Sequence, residues 1–234
     1  MSPAASGPAR RHRPAGDPAP GDPGGATGCA GLLLAAGAGT RLGTPKAAVR
    51  FAGERLADRG ARLLREGGCA PVLVVVGAAV LEVPGALTVR NPDWATGMGS
   101  SLRAGLAALP PAAGAVVIAL ADQPLVGAEA VRRLVAAWHG GAAIAVAAYG
   151  GAPRNPVLVA REHVAAVARA ATGDAGARPF LRAHPELVTL VNCDDAGDPA
   201  DIDTPEDLGR LSARVGEPGA HQGRGEVDRR AGDR

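Results

Sequence analysis

A single lysine, Lys46, stands among twenty-four arginines in this 234-residue chain, and it closes a glycine loop. The segment reads Leu34-Ala35-Ala36-Gly37-Ala38-Gly39-Thr40-Arg41-Leu42-Gly43-Thr44-Pro45-Lys46, directly after an apolar run. Glycines after a buried strand let backbone N–H groups approach an oxyanion that a Cβ would block. Arg41 and Lys46 add the positive charge that a phosphate requires. Lysine presents a compact point charge where arginine presents a planar fork, so a lone lysine in an arginine-biased chain marks a place for a point charge. The ATPase-type phosphate loop does not fit, because two residues separate Gly43 from Lys46 and no glycine occupies the first position. The dinucleotide fingerprint expects an acid after the next strand, and that strand runs out as Val76-Gly77-Ala78. Strand, glycine loop, Arg41 and the lone Lys46 together favour a triphosphate pocket over a plain turn.

Carboxylates supply the second ingredient. Asp122 follows the apolar run Val117–Leu120 and precedes Gln123-Pro124. An acid at that point lies at the sheet edge where α/β proteins hold ligands, and its oxygens suit a magnesium ion, although a turn-capping Asp looks the same. Asp201 and Asp203, two apart before Thr204-Pro205, could share a metal ion or form part of an acidic loop with Asp194, Asp195 and Asp198. Asn91-Pro92-Asp93-Trp94-Ala95-Thr96-Gly97-Met98-Gly99-Ser100-Ser101 opens a helical pattern whose N–H groups could face the same crevice. Arg154-Asn155 and Gly173–Arg178 place arginine in loops, as a second anion site or as surface turns. His163 and His184 have no metal-ligand spacing.

Positioning these residues requires an α/β scaffold. Continuous apolar runs at 32–34, 72–76, 115–120 and 142–148, with shorter ones at 87–89, 156–159 and 187–191, predict strands covered on both faces. Val131, Leu134, Val135 and Trp138 fall on one helical face, as do Met98, Leu102, Leu106 and Leu109. Thr204-Pro205-Glu206-Asp207 carries a cap, a proline at the first helical position and an acid at the third. The alternation predicts a single Rossmann-like three-layer sandwich around a mainly parallel mixed sheet over residues 28–215. Residues 1–27 and 216–234, rich in Pro and Gly, read as a disordered leader and tail. A net charge of +2 and 2% aromatics exclude a generic nucleic-acid binder and its stacking platforms. No run approaches the roughly 18 residues that span a bilayer. Cys29, Cys69 and Cys193 pair into no CxxC motif, which fits a reducing cytoplasm.

With those residues in view, the chain resembles the nucleotidyltransferases related to molybdenum cofactor cytidylyltransferase. The likeness rests on the 34–46 loop, the Asn-Pro…Gly-Met-x-Ser-Ser segment, Ala121-Asp122-Gln123-Pro124, Gly173–Arg178 and Asp201–Leu208 in that order, and spans about residues 30–212. It implies a nucleotide-diphosphosugar transferase-like fold and transfer of CMP from CTP to the terminal phosphate of molybdopterin, with Mg2+. It implies that Leu34, Ala35, Ala36, Gly37, Gly39 and Gly43 hold the nucleotide, with Arg41 and Lys46 on its phosphates. Asn91, Gly97, Ser100 and Ser101 would lie near the nucleoside. Asp122, Asp201 and Asp203 would lie near the metal, and Arg154, Asn155 and Arg178 near the acceptor. Ala35-Ala36-Gly37 looks like the cytidylyl version of the loop. Arg154-Asn155-Pro156 departs from the Gly-His-Pro or Gly-Asn-Pro of the family, which leaves a sugar phosphate or phospholactate open as acceptor, and GTP as donor. A non-catalytic cofactor-delivery protein is the alternative of another class, and a molybdenum hydroxylase apoenzyme the implied protein partner.

Overall fold

Val, Leu, Ile and Ala runs, too short for helices and β-branched in bulk, pleat into strands, and longer amphipathic stretches between them wind into helices. The computed structural model describes residues 28–216; the leader expected at 1–27 and the tail expected at 216–234 lie outside the described residues, save Gly216, which ends the last helix. Its strands are β1 (Gly28–Leu34), β2 (Arg50–Phe51), β3 (Glu54–Arg55), β4 (Val72–Val76), β5 (Leu87–Arg90), β6 (Ala113–Leu120), β7 (Ile144–Tyr149), β8 (Ala152–Ala160) and β9 (Val188–Asn192). Its helices are α1 (Leu56–Glu66), α2 (Met98–Ala107), α3 (Ala128–His139), α4 (Arg161–Ala170), α5 (Arg178–Ala183) and α6 (Pro205–Gly216).

Seven strands form one sheet in the order β5-β4-β1-β6-β8-β7-β9, and β2 pairs only with β3. β8 alone runs antiparallel to its neighbours β6 and β7. The other six strands therefore end at one edge, which also receives the start of β8. Side chains alternate across the sheet. Leu33, Val74 and Val117 join α1, α3 and α6 on one face, whereas Leu32, Val75 and Ile118 join α2, α4 and α5 on the other. A three-layer sandwich results, as the apolar runs predict. Burying one such Leu contributes about 1.5–3 kcal/mol.

Four elements differ from the sequence reading. The expected strand at 142–148 starts at Ile144, and the one at 156–159 extends over Ala152–Ala160 as the partner of both β6 and β7. Leu187 belongs to a 3-10 turn before β9. α1 escapes the periodicity search because its buried face is Leu56, Ala57, Gly60, Ala61 and Leu64, with small residues where large ones are sought. The small residues have a reason: a Cβ on Gly60 would lie 2.5 Å from Leu33 Cδ1, so glycine lets the helix settle onto β1.

Candidate active site

β1 delivers the glycine loop to the carboxyl edge of the sheet. Ala35 N donates to Val75 O (2.9 Å) and Ala36 O accepts from Ala78 N (3.1 Å), so the loop departs from a fixed base. Gly39 takes φ 59°, and a Cβ there would fall 2.1 Å from Thr44 O; only glycine permits that turn. The return is pinned where Lys46 N donates to Gly37 O (3.2 Å) and Ala47 is fully buried. Between these anchors a 3-10 turn, Thr40–Leu42, lifts the Arg41 side chain to 67% exposure.

Lys46 Nζ donates to Asp122 Oδ2 and to Asp203 Oδ1, each at 2.6 Å. Arg41 adds a looser ion pair to Asp203 at 3.4 Å. Asp122 caps the end of β6, and its carbonyl accepts from Ile202 N (2.8 Å), which stitches 201–203 to the strand end. Asp203 precedes α6, whose start is locked reciprocally: Asp207 N donates to Thr204 Oγ1 (3.2 Å) and Thr204 N to Asp207 Oδ2 (3.1 Å). Burial by itself would depress the Lys46 ammonium, but the two carboxylates outweigh it and hold its pKa above the ordinary lysine value.

Asp201 is not part of that bridge. Its Oδ1 accepts from Gln123 Nε2 (2.9 Å), and burial, followed by the charge of Asp122, raises its pKa. Among the described residues no three Asp, Glu, His or Cys side chains form a ligand group, so the structure does not bring Asp122, Asp201 and Asp203 into one metal shell. The Asp122–Asp203 pair nevertheless fits a divalent cation. Both offer hard oxygens, and Asp122 Oδ1 is buried without a hydrogen-bond partner among the described residues.

The helix opening at 97–101 has a different part from the one expected. Asn91, Ser100 and Ser101 are buried and bonded to each other: Asn91 Nδ2 donates to Ser100 Oγ (2.9 Å) and Ser101 Oγ (3.0 Å). The first N–H groups of α2 do not face an open crevice, because Met98 N donates to Asp174 Oδ1 (3.2 Å) and Gly99 N to Gly173 O (2.7 Å). That docking requires glycine at 97, where φ is 109° and a Cβ would come within 2.6 Å of Gly173. Arg178 stands at the start of α5, two residues after Gly176, where a Cβ would lie 3.1 Å from Met98 Sδ. Arg154 and Asn155 occupy the start of β8, at the edge that carries Asp122; Arg154 is exposed and bonds only its neighbour Pro153 O (3.1 Å) among the described residues.

Residues 31–188 match the family described as the MobA-like NTP transferase domain. The chain belongs to that family. The nicotine blue oxidoreductase of Paenarthrobacter nicotinovorans is 40% identical over 195 residues, covering 77% of this chain and 95% of that protein. A shorter match, 48% identity over 50 residues, joins 21% of this chain to 25% of a protein named "Probable molybdenum cofactor guanylyltransferase" from Opitutus terrae. Among solved structures, Rv0371c of Mycobacterium tuberculosis H37Rv superposes with TM-score 0.70 at 27% identity, covering 80% of this chain and 99% of its own. A structure of Rv0371c in complex with manganese superposes with TM-score 0.68 at 26% identity and the same coverage.

Two further residues hold the segments of the candidate site together in this NTP transferase domain. Gln123, 7% exposed, donates to both Asp201 Oδ1 and Pro199 O (3.2 Å) and so ties the two acidic segments together. Arg59 on α1 donates to Pro124 O (2.6 Å) and holds the turn after Asp122 from beneath. Gln123 carried a signal, a buried amide beside a strand-end acid. Arg59 carried none, since it is one of several arginines on α1 and its partner lies 65 residues away.

Proposed function

We propose that this NTP transferase moves CMP from CTP to the terminal phosphate of molybdopterin and releases pyrophosphate. A phosphate oxygen of the acceptor forms the new bond to the α-phosphorus as the α–β bridging bond breaks, and the electron pair leaves on pyrophosphate. The nucleophile is already an anion, so positioning and charge neutralisation carry the reaction. The observation that supports this reading is the Lys46 bridge between Asp122 and Asp203 beside a glycine loop at the carboxyl edge. The loop offers backbone close to the phosphates, and Gly43 has open space where a side chain would stand. Lys46 turns from the carboxylates to the leaving phosphates, and Arg41, extended into solvent, closes on them from outside. Asp122 and Asp203 would hold the divalent ion, magnesium in this reading, and it would supply positive charge to the phosphates. Arg154, Asn155 and Arg178 receive the acceptor, and the product passes to a molybdenum hydroxylase apoenzyme.

CTP rather than GTP follows from Ala35-Ala36-Gly37, by resemblance. A cytoplasmic setting belongs to this reading, supported by three buried cysteines that form no disulfide in the structure; among the described residues no helix is long and apolar enough to cross a membrane. A second reading comes from the relative named nicotine blue oxidoreductase: an oxidoreductase activity in place of nucleotidyl transfer. Incubating the protein with CTP or GTP, Mg2+ and molybdopterin and measuring pyrophosphate separates the readings. Release that depends on both CTP and molybdopterin is expected. No release with either nucleotide overturns the transferase reading, and release with GTP alone overturns the choice of base.

A further inference from the structure

We infer that Trp94 is the stacking platform for the nucleobase, and that Asn91, Ser100 and Ser101 exist to hold it in place. The inference rests on the nucleotidyltransferase reading above and adds a residue to it.

The indole sits where β4 and β1 end. A Cβ on Gly77, the residue after β4, would lie 2.4 Å from Trp94 Cβ, 2.5 Å from Trp94 Cγ and 2.9 Å from Ala36 Cβ. The root of the indole, the end of β4 and the first turn of the glycine loop thus converge on one spot, and Gly77 leaves room for them. Trp94 is half-buried: it packs against the core on the α2 side and keeps the rest of its surface exposed. Because the phosphates are assigned to the stretch from Gly37 to Lys46, the nucleoside end of the same molecule falls toward Ala36. The other Phe, Tyr and Trp rings among the described residues lie elsewhere: Phe51 lies under Arg59, Trp138 against His139, Phe180 beside His184, and Tyr149 at the end of β7 beside Asp194 and Asp198.

The buried polar cluster explains how Trp94 is held. Asn91 Oδ1 accepts from Asp93 N (3.0 Å), while the Ser100 hydroxyl lies within donating distance of both Asp93 O (2.9 Å) and Gly97 O (2.8 Å), the two ends of the turn that carries Trp94. Both backbone groups of the residue preceding Trp94 are therefore clamped by side chains that are themselves buried and bonded to each other. Buried polar groups need partners, and satisfying them fully gives a rigid local structure. Trp94 then opens a 3-10 turn, Trp94–Thr96, whose geometry the clamp sets. Asn91, Ser100 and Ser101 act as positioning residues, and Trp94 touches the substrate.

Stacking of a base on an aromatic ring is worth a loss of about 10- to 100-fold in affinity when the ring is removed. The full chain carries two tryptophans, so Trp138→Phe leaves Trp94 as the sole indole. In that background, CTP is expected to quench Trp94 emission, with calorimetry run in parallel. Trp94→Phe is expected to bind CTP within about 3-fold of the parent, and Trp94→Leu about 10- to 100-fold more weakly at an unchanged fold by circular dichroism. Asn91→Ala is expected to shift and depolarise Trp94 emission in the unliganded protein; unaltered emission overturns the clamp. If CTP binds by calorimetry without changing Trp94 emission, or Trp94→Leu binds as the parent does, the stacking inference falls and the nucleotide reading stands. If a free pterin quenches Trp94 and CTP does not, the platform belongs to the acceptor and the inference is overturned. If no nucleotide binds at all, the nucleotide reading falls with it.

Discussion

Lys46→Ala and Lys46→Arg separate what the charge does from what its shape does. Two carboxylate oxygens that each lie 2.6 Å from one nitrogen are at most about 5 Å apart. Without the ammonium, two charges at that distance repel by about 3 kcal/mol at an effective dielectric of 20. Asp203 is 36% exposed and Asp122 17%, so solvent screening reduces this to about 1–3 kcal/mol. Lys46→Ala is therefore expected to lower the thermal midpoint by about 2 to 10 °C, and millimolar Mn2+ to restore most of it. Lys46→Arg keeps the charge and is expected to stay within about 1 kcal/mol of the parent. Its turnover is another matter. A guanidinium is longer and flat, and a displacement of about 1 Å at the phosphates costs roughly 100-fold. Turnover at saturating nucleotide, beside melting curves with and without Mn2+, reads both quantities. Near-normal turnover in Lys46→Arg refutes the point-charge argument, and an unchanged midpoint in Lys46→Ala refutes the repulsion.

Asp122→Asn keeps the shape of the strand end and is expected to lose at least about 100-fold in turnover while the fold survives; unchanged dependence on metal concentration would remove Asp122 from the site. Gly39→Ala and Gly43→Ala share the left-handed penalty of about 1 kcal/mol, but only Gly39 also meets a backbone oxygen, at 2.1 Å. Turnover is expected to fall far more in Gly39→Ala, and equal losses would show that the Gly39 turn can relax. Asp207 is held at about 2, chiefly by Arg210 and then by Thr204. A lowered carboxylate pKa stabilises the fold above the ordinary value near 3.8 and loses that effect as pH falls toward 2. The midpoint difference between the parent and Asp207→Asn should therefore be constant above pH 4 and vanish near pH 2. Thr204→Ala should cost about 1 kcal/mol at neutral pH, seen as an earlier denaturant midpoint.

Local chemistry was legible wherever its cause was local. The glycine loop, the apolar strands, the face of α3 and the Thr204–Asp207 cap all announce themselves within a dozen residues. α1 was missed because Ala57, Gly60 and Ala61 make close packing look like the absence of a core. The bridge from Lys46 to Asp122 and Asp203 spans 76 and 157 residues, and no spacing rule reaches that far. Asn91, Ser100 and Ser101 were singled out as residue types, but only the fold shows that their polar atoms face each other. Asp201 was paired with Asp203 by adjacency, whereas Gln123 draws its carboxylate aside.

The antiparallel β8 divides the molecule for an engineer. On one side of it, β5, β4, β1 and β6 run parallel and carry the glycine loop, Trp94 and Asp122. On the other, β7 and β8 meet through Gly150-Gly151, both at positive φ, in a turn that reaches the edge where the reacting groups stand. Residues added to or removed from that turn leave every parallel pairing in register. In the reading that places the acceptor at Arg154 and Asn155, new acceptor specificity can therefore be selected from libraries confined to 150–155, with β5, β4, β1 and β6 carried through each round unchanged.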